Sequence, residues 1–274
     1  MRFRALPLLA LALACSGPRA ALAQEPETPP AAQDSLYDLA LPRDAAERAR
    51  LSAAIEAALA APDRPEAHRF RDDQREVRSI MAAADVHPGD RVLDIGSGGA
   101  YLAVIMSAMA GDKGRIDIHN TPGWIADHPE FDPDALKIWL HRDNVRYVTA
   151  EWDKIPIRRN AYDVIVIGEA YHEAVADGSD VAGMNRRFYR MLKPGGRIVI
   201  EDHAADPAMD LMEQVRLHRI AVNAVMEQMQ AAGFQLAGSL AIISAHDDPR
   251  FTVFTPGIRG RTERFILSFE KPAH

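Results

Sequence analysis

The stretch Val92-Leu93-Asp94-Ile95-Gly96-Ser97-Gly98-Gly99-Ala100-Tyr101 decides the fold class of this 274-residue chain. A short apolar run is followed at once by three glycines in four positions, and helical spacing begins at Tyr101. In an open parallel sheet, ligands bind outside the carboxyl ends of the strands, where glycines let a ligand approach the backbone. The stretch therefore predicts a ligand-binding turn between the first strand and its helix.

The residues of this turn favour a cationic nucleoside over a dinucleotide. A dinucleotide fingerprint needs a third glycine at the position that Tyr101 takes here. Asp94 stands two residues before the first glycine, and its charge would repel a pyrophosphate but suit a sulfonium. A P-loop is excluded because no Gly-Lys-Ser/Thr follows. An NAD-dependent oxidoreductase is the weaker alternative.

Short apolar runs and helical spacings alternate along the rest of the chain. We predict strands at 91–95, 115–120, 145–150, 162–168, 197–202, 234–244 and 264–271. We predict helices at 43–60, 76–84, 101–109, 133–141, 181–192 and 208–232. This alternation indicates an α/β fold, a doubly wound and mostly parallel sheet with helices on both faces. The last two strands have no helix between them, which predicts an antiparallel strand at one edge.

Three segments carry a family resemblance. They are residues 94–101, Tyr162-Asp163-Val164-Ile165-Val166, and Met191-Leu192-Lys193-Pro194-Gly195-Gly196-Arg197-Ile198-Val199-Ile200. In this order and spacing they resemble the class I S-adenosylmethionine (SAM)-dependent methyltransferases over roughly residues 86–272. The resemblance implies a Rossmann-like, seven-stranded sheet with a reversed last strand, and SAM as the cofactor. Residues 71–75, 202–205 and 259–265 are similar to segments of exported bacterial methyltransferase-like proteins.

The resemblance also implies residues of the cofactor site. Asp94, Gly96 and Gly98 would line the methionine and ribose side of SAM. Asn120, at the end of the second strand, takes the position of an acid that usually binds the ribose hydroxyls. Its amide still offers hydrogen bonds to hydroxyls, but without the assistance of a charge.

Two more parts of the chain are expected near the cofactor. Glu151, after the third strand, matches a position that often accepts a hydrogen bond from the adenine amino group. Trp152 beside it is expected either to pack on the adenine ring or to fill the core. Arg71, Asp72 and Arg75 lie ahead of the sheet, where such proteins often close over the cofactor carboxylate. A solvated charged face is the alternative for these three residues.

Candidate catalytic residues follow the fourth strand. Methyl transfer is a displacement in which alignment supplies much of the catalysis, and a base is needed only if the acceptor must lose a proton. Tyr171 and His172 fall where the methyl group of a bound cofactor should point. His172 is the preferred base or substrate ligand, and a purely structural Tyr-His pair is the alternative.

A second group of candidates follows the fifth strand. His203 closes that strand and is a further catalytic candidate. Asp202, His218 and Arg219 are expected to form an acceptor pocket, with Arg219 matching an anionic group of the substrate. A salt-bridged rim is the alternative. We predict no metal site, because no histidine pair has the close helical spacing of a ligand set. A metal-assisted transferase is the weaker alternative, since the histidines and aspartates of this region include enough donors for a divalent ion.

The N-terminus is typical of an exported protein. A basic start, the apolar run 5–15 and the small residues Ala21 and Ala23 predict a signal peptide over 1–23. We interpret 24–34 as a flexible linker, 35–85 as an N-terminal helical segment capping the cofactor site, and 86–274 as the methyltransferase domain. The expected location is periplasmic or secreted, with no stable membrane insertion after cleavage. A lipoprotein anchored through Cys15 is the weaker alternative.

Composition excludes several functional classes. The chain has 32 Lys+Arg against 39 Asp+Glu, a net charge of −7, which opposes nonspecific binding of nucleic acid. The only cysteine is Cys15, so a disulfide scaffold and a cysteine-ligated zinc are excluded. We therefore expect an exported SAM-dependent methyltransferase that acts on a small molecule or an envelope component. The alternative is a catalytically inactive ligand-binding protein on the same fold.

Overall fold

Strand β1 (Arg91–Ile95) lies inside a seven-stranded sheet in the computed structural model, which describes residues 44–243, 248–258 and 260–273. The predicted signal peptide (1–23) and linker (24–34) lie outside the described residues. The part of the predicted N-terminal segment that is described begins at Asp44, whose side chain caps the first helix by accepting from the backbone N–H of Glu47 at 2.8 Å.

The described helices and strands follow the predicted alternation. The helices are α1 (Ala45–Leu59), α2 (Glu66–Arg69), α3 (Asp72–Arg75), α4 (Val77–Ala84), α5 (Tyr101–Ala110), α6 (Pro122–Asp127), α7 (Pro133–Leu140), α8 (Tyr171–Ala176), α9 (Val181–Met191), α10 (Leu211–Arg216) and α11 (Val222–Ala231). The remaining strands are β2 (Arg115–Asn120), β3 (Val145–Thr149), β4 (Tyr162–Gly168), β5 (Leu192–His203), β6 (Gln235–Ile243) and β7 (Arg264–Glu270). None of the helices in the described ranges combines the length and apolar character needed to cross a membrane.

The sheet has the strand order β3-β2-β1-β4-β5-β7-β6. Strands β1 to β5 pair in parallel, and β7 runs antiparallel to both β5 and β6. The predicted fold class is confirmed. The reversed strand is the last one, as the resemblance implied, and it lies one place in from the edge that β6 forms.

Two apolar clusters cover the two faces of the sheet. Successive residues of a strand point to opposite faces, so each strand contributes to both clusters. The cluster that packs against α1, α4 and α5 takes Val92, Val164, Val166 and Val199. The cluster that packs against α8, α9 and α11 takes Leu93, Ile165, Ile167, Ile198 and Ile200. Packing on both faces of the sheet keeps the parallel strands in register. The carboxyl ends of β1, β2, β4 and β5 therefore lie next to one another.

The single helix predicted over 208–232 is wrong. Helix α10 ends at Arg216, α11 begins at Val222, and the chain between them turns at Leu217 and His218. Ile220 donates its backbone N–H to His203 O at 2.9 Å and accepts from Ala205 N at 3.1 Å, in an isolated parallel bridge. In a continuous helix, the backbone N–H and C=O of Ile220 would bond to other residues of that helix. Here they bond instead to residues at the buried end of β5 and just after it.

This break determines where two predicted site residues lie. His218 has a positive φ of 55° and remains partly exposed, whereas Arg219 is only 1% exposed. The Arg219 guanidinium pairs with both carboxylate oxygens of Asp248 at 2.8 Å and donates to Ala204 O and Phe251 O. Arg219 therefore ties the segment around Asp248 to the end of β5, which satisfies its own buried charge.

Candidate functional site

The glycine turn after β1 is held by the end of β2. Asn120 accepts from the backbone N–H of Gly98 at 2.8 Å and donates its amide to Gly98 O at 3.0 Å. Gly96 and Gly98 have positive φ angles of 64° and 56°. The side chain that was predicted to bind ribose hydroxyls therefore spends one donor and its oxygen on fixing the shape of the turn.

Gly96 has no room for a side chain. A Cβ there would lie 2.5 Å from Ala170 Cβ and 3.0 Å from the Trp152 ring. Trp152 is itself buried and donates its indole N–H to Asp177 at 2.7 Å. Of the two alternatives for Trp152, the structure has the ring packed beneath the turn as part of the core.

A cavity of about 430 Å³ opens in front of the turn, and we refer to it as the glycine cavity. Its lining is Ala67, His68, Arg71, Arg75, Asp94, Gly96, Ser97, Gly98, Gly99, Tyr101, Leu102, Trp124, His128, Phe131, Gly168 and Glu169. Three aromatic rings stack on one side: Trp124 lies 4.4 Å from His128 and 5.8 Å from Phe131, centroid to centroid. This stack offers a flat face to a planar ligand.

Asp94 places a buried acid at the floor of the glycine cavity. Its carboxylate is 1% exposed and accepts from the Ser97 hydroxyl at 2.7 Å. Burial raises the pKa of Asp94 to about 7, against the opposing effects of the Ser97 hydrogen bond and the Arg75 charge. A cationic ligand would favour the ionised form.

The N-terminal segment contributes the opposite wall of the glycine cavity. The Arg71 guanidinium lies 4.8 Å from the centroid of the Tyr101 ring. Asp72 turns away from the cavity, because it pairs with Arg64 and accepts from the Tyr101 hydroxyl at 2.8 Å. Of the three charged residues predicted to close over the cofactor carboxylate, Arg71 and Arg75 line the cavity.

A second cavity of about 380 Å³ adjoins the first, and we refer to it as the histidine cavity. Its lining is Arg71, Gln74, Arg75, Glu169, His172, Glu173, His203, His218, Val253, Phe254, Gly260, Thr262 and Arg264. Arg71, Arg75 and Glu169 line both cavities. The two spaces therefore meet at the end of β4, where Glu169 follows Gly168.

Four ionisable side chains lie between the two cavities, three of them buried and the fourth, Glu169, partly exposed. Arg75 pairs with Glu169 at 2.7 Å and with Glu201 at 3.1 Å, and Arg264 pairs with the same two carboxylates at 3.1 and 3.2 Å. Although burial favours the neutral acid, the two guanidiniums hold the pKa of Glu169 below its usual range. We call these residues the charge quartet.

His172 sits between two carboxylates. Its Nδ1 is 2.7 Å from Asp202 Oδ1, and its Nε2 is 3.1 Å from Glu173 Oε1. Burial disfavours the charged ring, but the two carboxylates outweigh it and raise the pKa of His172 to about 10. With a proton on both nitrogens His172 cannot accept another, so in this state it does not suit the role of base that the sequence suggested.

His203 differs from His172 in its protonation state. Burial lowers its pKa to about 4, despite Glu169 Oε1 at 3.6 Å from its Nε2. Its Nδ1 lies 2.8 Å from the Thr262 hydroxyl, which holds the ring in place. His203 is therefore unprotonated at neutral pH, and the unprotonated ring is the form that can accept a proton.

The structure keeps six predicted site residues out of both cavities: Asn120 and Trp152, which support the glycine turn, and four more. Tyr171 is buried, with its hydroxyl between Gln228 at 2.8 Å and Asn185 at 2.7 Å. Asp202 is buried behind His172, and Arg219 is paired with Asp248. Glu151 is exposed and does not line either described cavity.

Sequence reasoning missed several residues that line the two cavities or pair with those that do. These are Trp124, Phe131, Glu169, Glu173, Glu201 and Arg264. One sequence feature could have revealed Glu201, because a charged residue within the apolar run of β5 must find a buried partner. Trp124 and His128 lie four residues apart, a spacing that brings side chains together on a helical turn.

Comparison with known proteins supports this arrangement. The ubiE/COQ5 methyltransferase family matches residues 69–236, which is more than half of the chain. The ubiquinone/menaquinone biosynthesis C-methyltransferase UbiE of Vibrio campbellii is 28% identical over 193 residues, covering 69% of this chain and 65% of that protein. The UbiE of Teredinibacter turnerae is 30% identical over 132 residues, covering 47% and 49%. The chain thus spans from about half to just under two thirds of these relatives' length.

Solved structures show the same fold. A SAM-dependent methyltransferase from Aquifex aeolicus superposes with a TM-score of 0.55 at 17% identity, covering 80% of this chain and 97% of that one. Geranyl diphosphate C-methyltransferase from Streptomyces coelicolor, solved with Mg²⁺, geranyl diphosphate and S-adenosyl-L-homocysteine, gives 0.57 at 16% identity, covering 78% and 87%. The family match confirms the predicted membership of the class I SAM-dependent methyltransferases, the family whose cofactor is SAM. The chain belongs to the ubiE/COQ5 methyltransferase family.

Proposed function

We propose that this chain transfers the methyl group of SAM to a small polar acceptor. The observation that carries the proposal is that the glycine and histidine cavities meet at Arg71, Arg75 and Glu169. A donor held in the first cavity and an acceptor held in the second would face one another there, and alignment of this kind supplies much of the catalysis in a displacement. When bound, SAM supplies a methyl group on a positively charged sulfur.

The residues of the glycine cavity fit this cofactor. The stacked rings of Trp124, His128 and Phe131 offer a flat face that suits the adenine ring. Asp94 supplies a negative charge for the cationic part of SAM, and the Arg71 guanidinium suits its carboxylate.

The residues of the histidine cavity indicate the class of acceptor. Most of its lining is charged or hydrogen-bonding, which suits a molecule with a hydroxyl or carboxylate oxygen. Val253 and Phe254 add one apolar wall, which suits a planar or ring-shaped portion. Relatives named as quinone-pathway C-methyltransferases are consistent with a ring-shaped acceptor.

His203 is the residue best placed to take a proton from the acceptor. It lines the histidine cavity, is neutral at physiological pH, and lies beside Glu169 at the junction of the two cavities. The charge quartet leaves Glu169 ionised, so a proton that reaches His203 gains a nearby counter-charge. The alternative, an inactive ligand-binding protein, has no use for such a group at the junction.

We also propose that residues 1–23 act as a signal peptide and that the mature protein is periplasmic or secreted. The basic start, the apolar run 5–15 and the small residues before Gln24 support this location. The mature chain would have no cysteine, which suits an oxidising compartment.

Binding of the cofactor is expected to require Gly96. Calorimetry should detect SAM and S-adenosylhomocysteine with the wild-type protein, and Gly96→Ala should weaken both by at least about tenfold, roughly 1.4 kcal/mol. The Cβ would push Ala170 and Trp152 away and distort the turn. Gly123→Ala is the matched control, because a Cβ there meets nothing within 4 Å. A folded wild-type protein that binds neither compound at millimolar concentration would refute the proposal.

Affinity for SAM is expected to rise with pH around neutrality. If only ionised Asp94 binds well and its pKa is about 7, the dissociation constant of SAM should be about tenfold larger at pH 6 than at pH 8. The Ser97 hydroxyl, the Arg75 guanidinium and the backbone N–H of Ala103 are the groups that face this carboxylate. Asp94→Asn should bind more weakly and lose the pH dependence. Equal wild-type affinity at both values would contradict the assigned role.

Turnover is expected to depend on His203. In a methyl-release assay with a small-molecule extract as the source of acceptor, His203→Gln should lower kcat about 100-fold. The dissociation constant of SAM should change less than twofold, because His203 does not line the glycine cavity. Parallel loss of SAM affinity, or unchanged turnover in a folded variant, would argue against proton transfer by His203.

Export is expected to leave a defined N-terminus. When the full chain is expressed in a Gram-negative host, mass spectrometry of the periplasmic fraction should find a protein that begins at Gln24. Replacing both Ala21 and Ala23 with leucine should block cleavage. Protein that retains Met1 and stays in the cytoplasm would overturn the proposed location.

A further inference from the structure

We propose that His172, Glu173 and His218 form a binding site for a divalent transition-metal ion in the wall of the histidine cavity. One ligand atom from each of these residues lies within 4.8 Å of the other two. No pair of them has the close histidine spacing of a helical ligand set, which is why the sequence predicted no metal. The break between α10 and α11 brings His218 to the start of α8, where the other two residues lie.

The spacing of the ligand atoms suits a metal ion. His172 Nε2 lies 3.1 Å from Glu173 Oε1, and His218 Nδ1 lies 2.8 Å from the same oxygen. Nitrogen and oxygen ligands bind Zn²⁺ at about 2.0–2.2 Å, so neighbouring ligands around one ion stand about 3.0–3.5 Å apart. The third pair, His172 Nε2 and His218 Nδ1, lies within 4.8 Å. An ion would therefore fit once the two histidines close around it and His172 releases its Nε2 proton to solvent.

Neighbouring residues orient the ligands. Asp202, which is fully buried, holds His172 through Nδ1 at 2.7 Å and leaves Nε2 directed at Glu173. A carboxylate behind a ligating histidine is the usual outer-shell partner in metal sites. The His218 ring packs edge-on against Phe254, with centroids 4.5 Å apart, which limits its rotation.

The site leaves room for a further ligand. The Glu173 and His218 side chains are 38% and 31% exposed, and both line the histidine cavity. Two histidines and one carboxylate are a typical ligand set for catalytic ions that keep open positions. The guanidiniums of Arg75 and Arg264 form their ion pairs with Glu169 and Glu201. They therefore do not compete with a metal ion for the carboxylate of Glu173.

The open coordination positions of the ion would bind an oxygen of the methyl acceptor. This role of the ion rests on the proposed function. A hydroxyl or carboxylate oxygen is the group for which the cavity wall is suited, and a divalent ion lowers the pKa of a hydroxyl that it binds. The ion would thus both hold the acceptor and ease the loss of its proton. Binding of the metal itself requires no turnover and can be measured first.

The test is titration of the tag-free, chelator-treated protein with Zn²⁺ in a calorimeter. We expect one ion per chain in the wild-type protein. Glu173→Gln and His218→Ala should each weaken binding at least tenfold, and Asp202→Asn should weaken it 10- to 100-fold by releasing His172. His87→Ala is the matched control, because His87 is an exposed histidine remote from the cavity lining, and it should bind as the wild type does.

Circular dichroism and thermal unfolding establish whether each variant is folded. His218→Ala removes a partly exposed side chain and keeps the test valid if Asp202→Asn does not fold. Absence of a stoichiometric site in the wild type, or unchanged affinity in both folded Glu173→Gln and His218→Ala, would overturn the metal site. Binding of SAM by the same sample is measured in parallel. SAM binding without Zn²⁺ binding refutes only the metal site, whereas Zn²⁺ binding without SAM binding refutes the proposed function.

Discussion

The charge quartet is the interaction on which the ligand-binding edge of the sheet depends. Arg75 comes from the N-terminal segment, Glu169 from the end of β4, Glu201 from β5 and Arg264 from β7. Removing one member would leave an uncompensated buried charge, which typically costs about 3–5 kcal/mol. The same four side chains join three strands to the segment that covers the glycine cavity, so the stability and the shape of the site have a common origin.

The two cavities differ in what they offer a ligand. The glycine cavity combines an aromatic face with one buried acid, Asp94, and suits a nucleoside that carries a positive charge. The histidine cavity is polar on most sides and contains histidines in different states: the His172 pKa is raised and the His203 pKa is lowered. Environment alone produces this contrast, because two carboxylates flank His172 whereas burial dominates at His203.

The sequence predicted six of the seven strands to within one residue at each end, because each is a short stretch rich in apolar residues that is bounded by turn residues. Strand β5 begins at Leu192, five residues before its predicted start. It predicted the glycine turn after β1 because the shape of a tight turn depends on its own few residues, here mainly the glycines. It did not predict the role of Asn120, and it left open whether Trp152 fills the core, since both depend on contacts between β2, the loop after β3 and the turn. The prediction of one helix over 208–232 was wrong because the backbone of Ile220 bonds to the end of β5, which no local pattern around Ile220 reveals.

The sequence by itself thus determined the alternation of strands and helices, the ligand-binding turn and the family, since these follow from local patterns of apolar residues and glycines. Only the tertiary structure decided which polar side chains meet. Glu173 and His218 are 45 residues apart in sequence and 2.8 Å apart in the fold. Such contacts arise from the way strands end together and from a broken helix, and no local spacing encodes them.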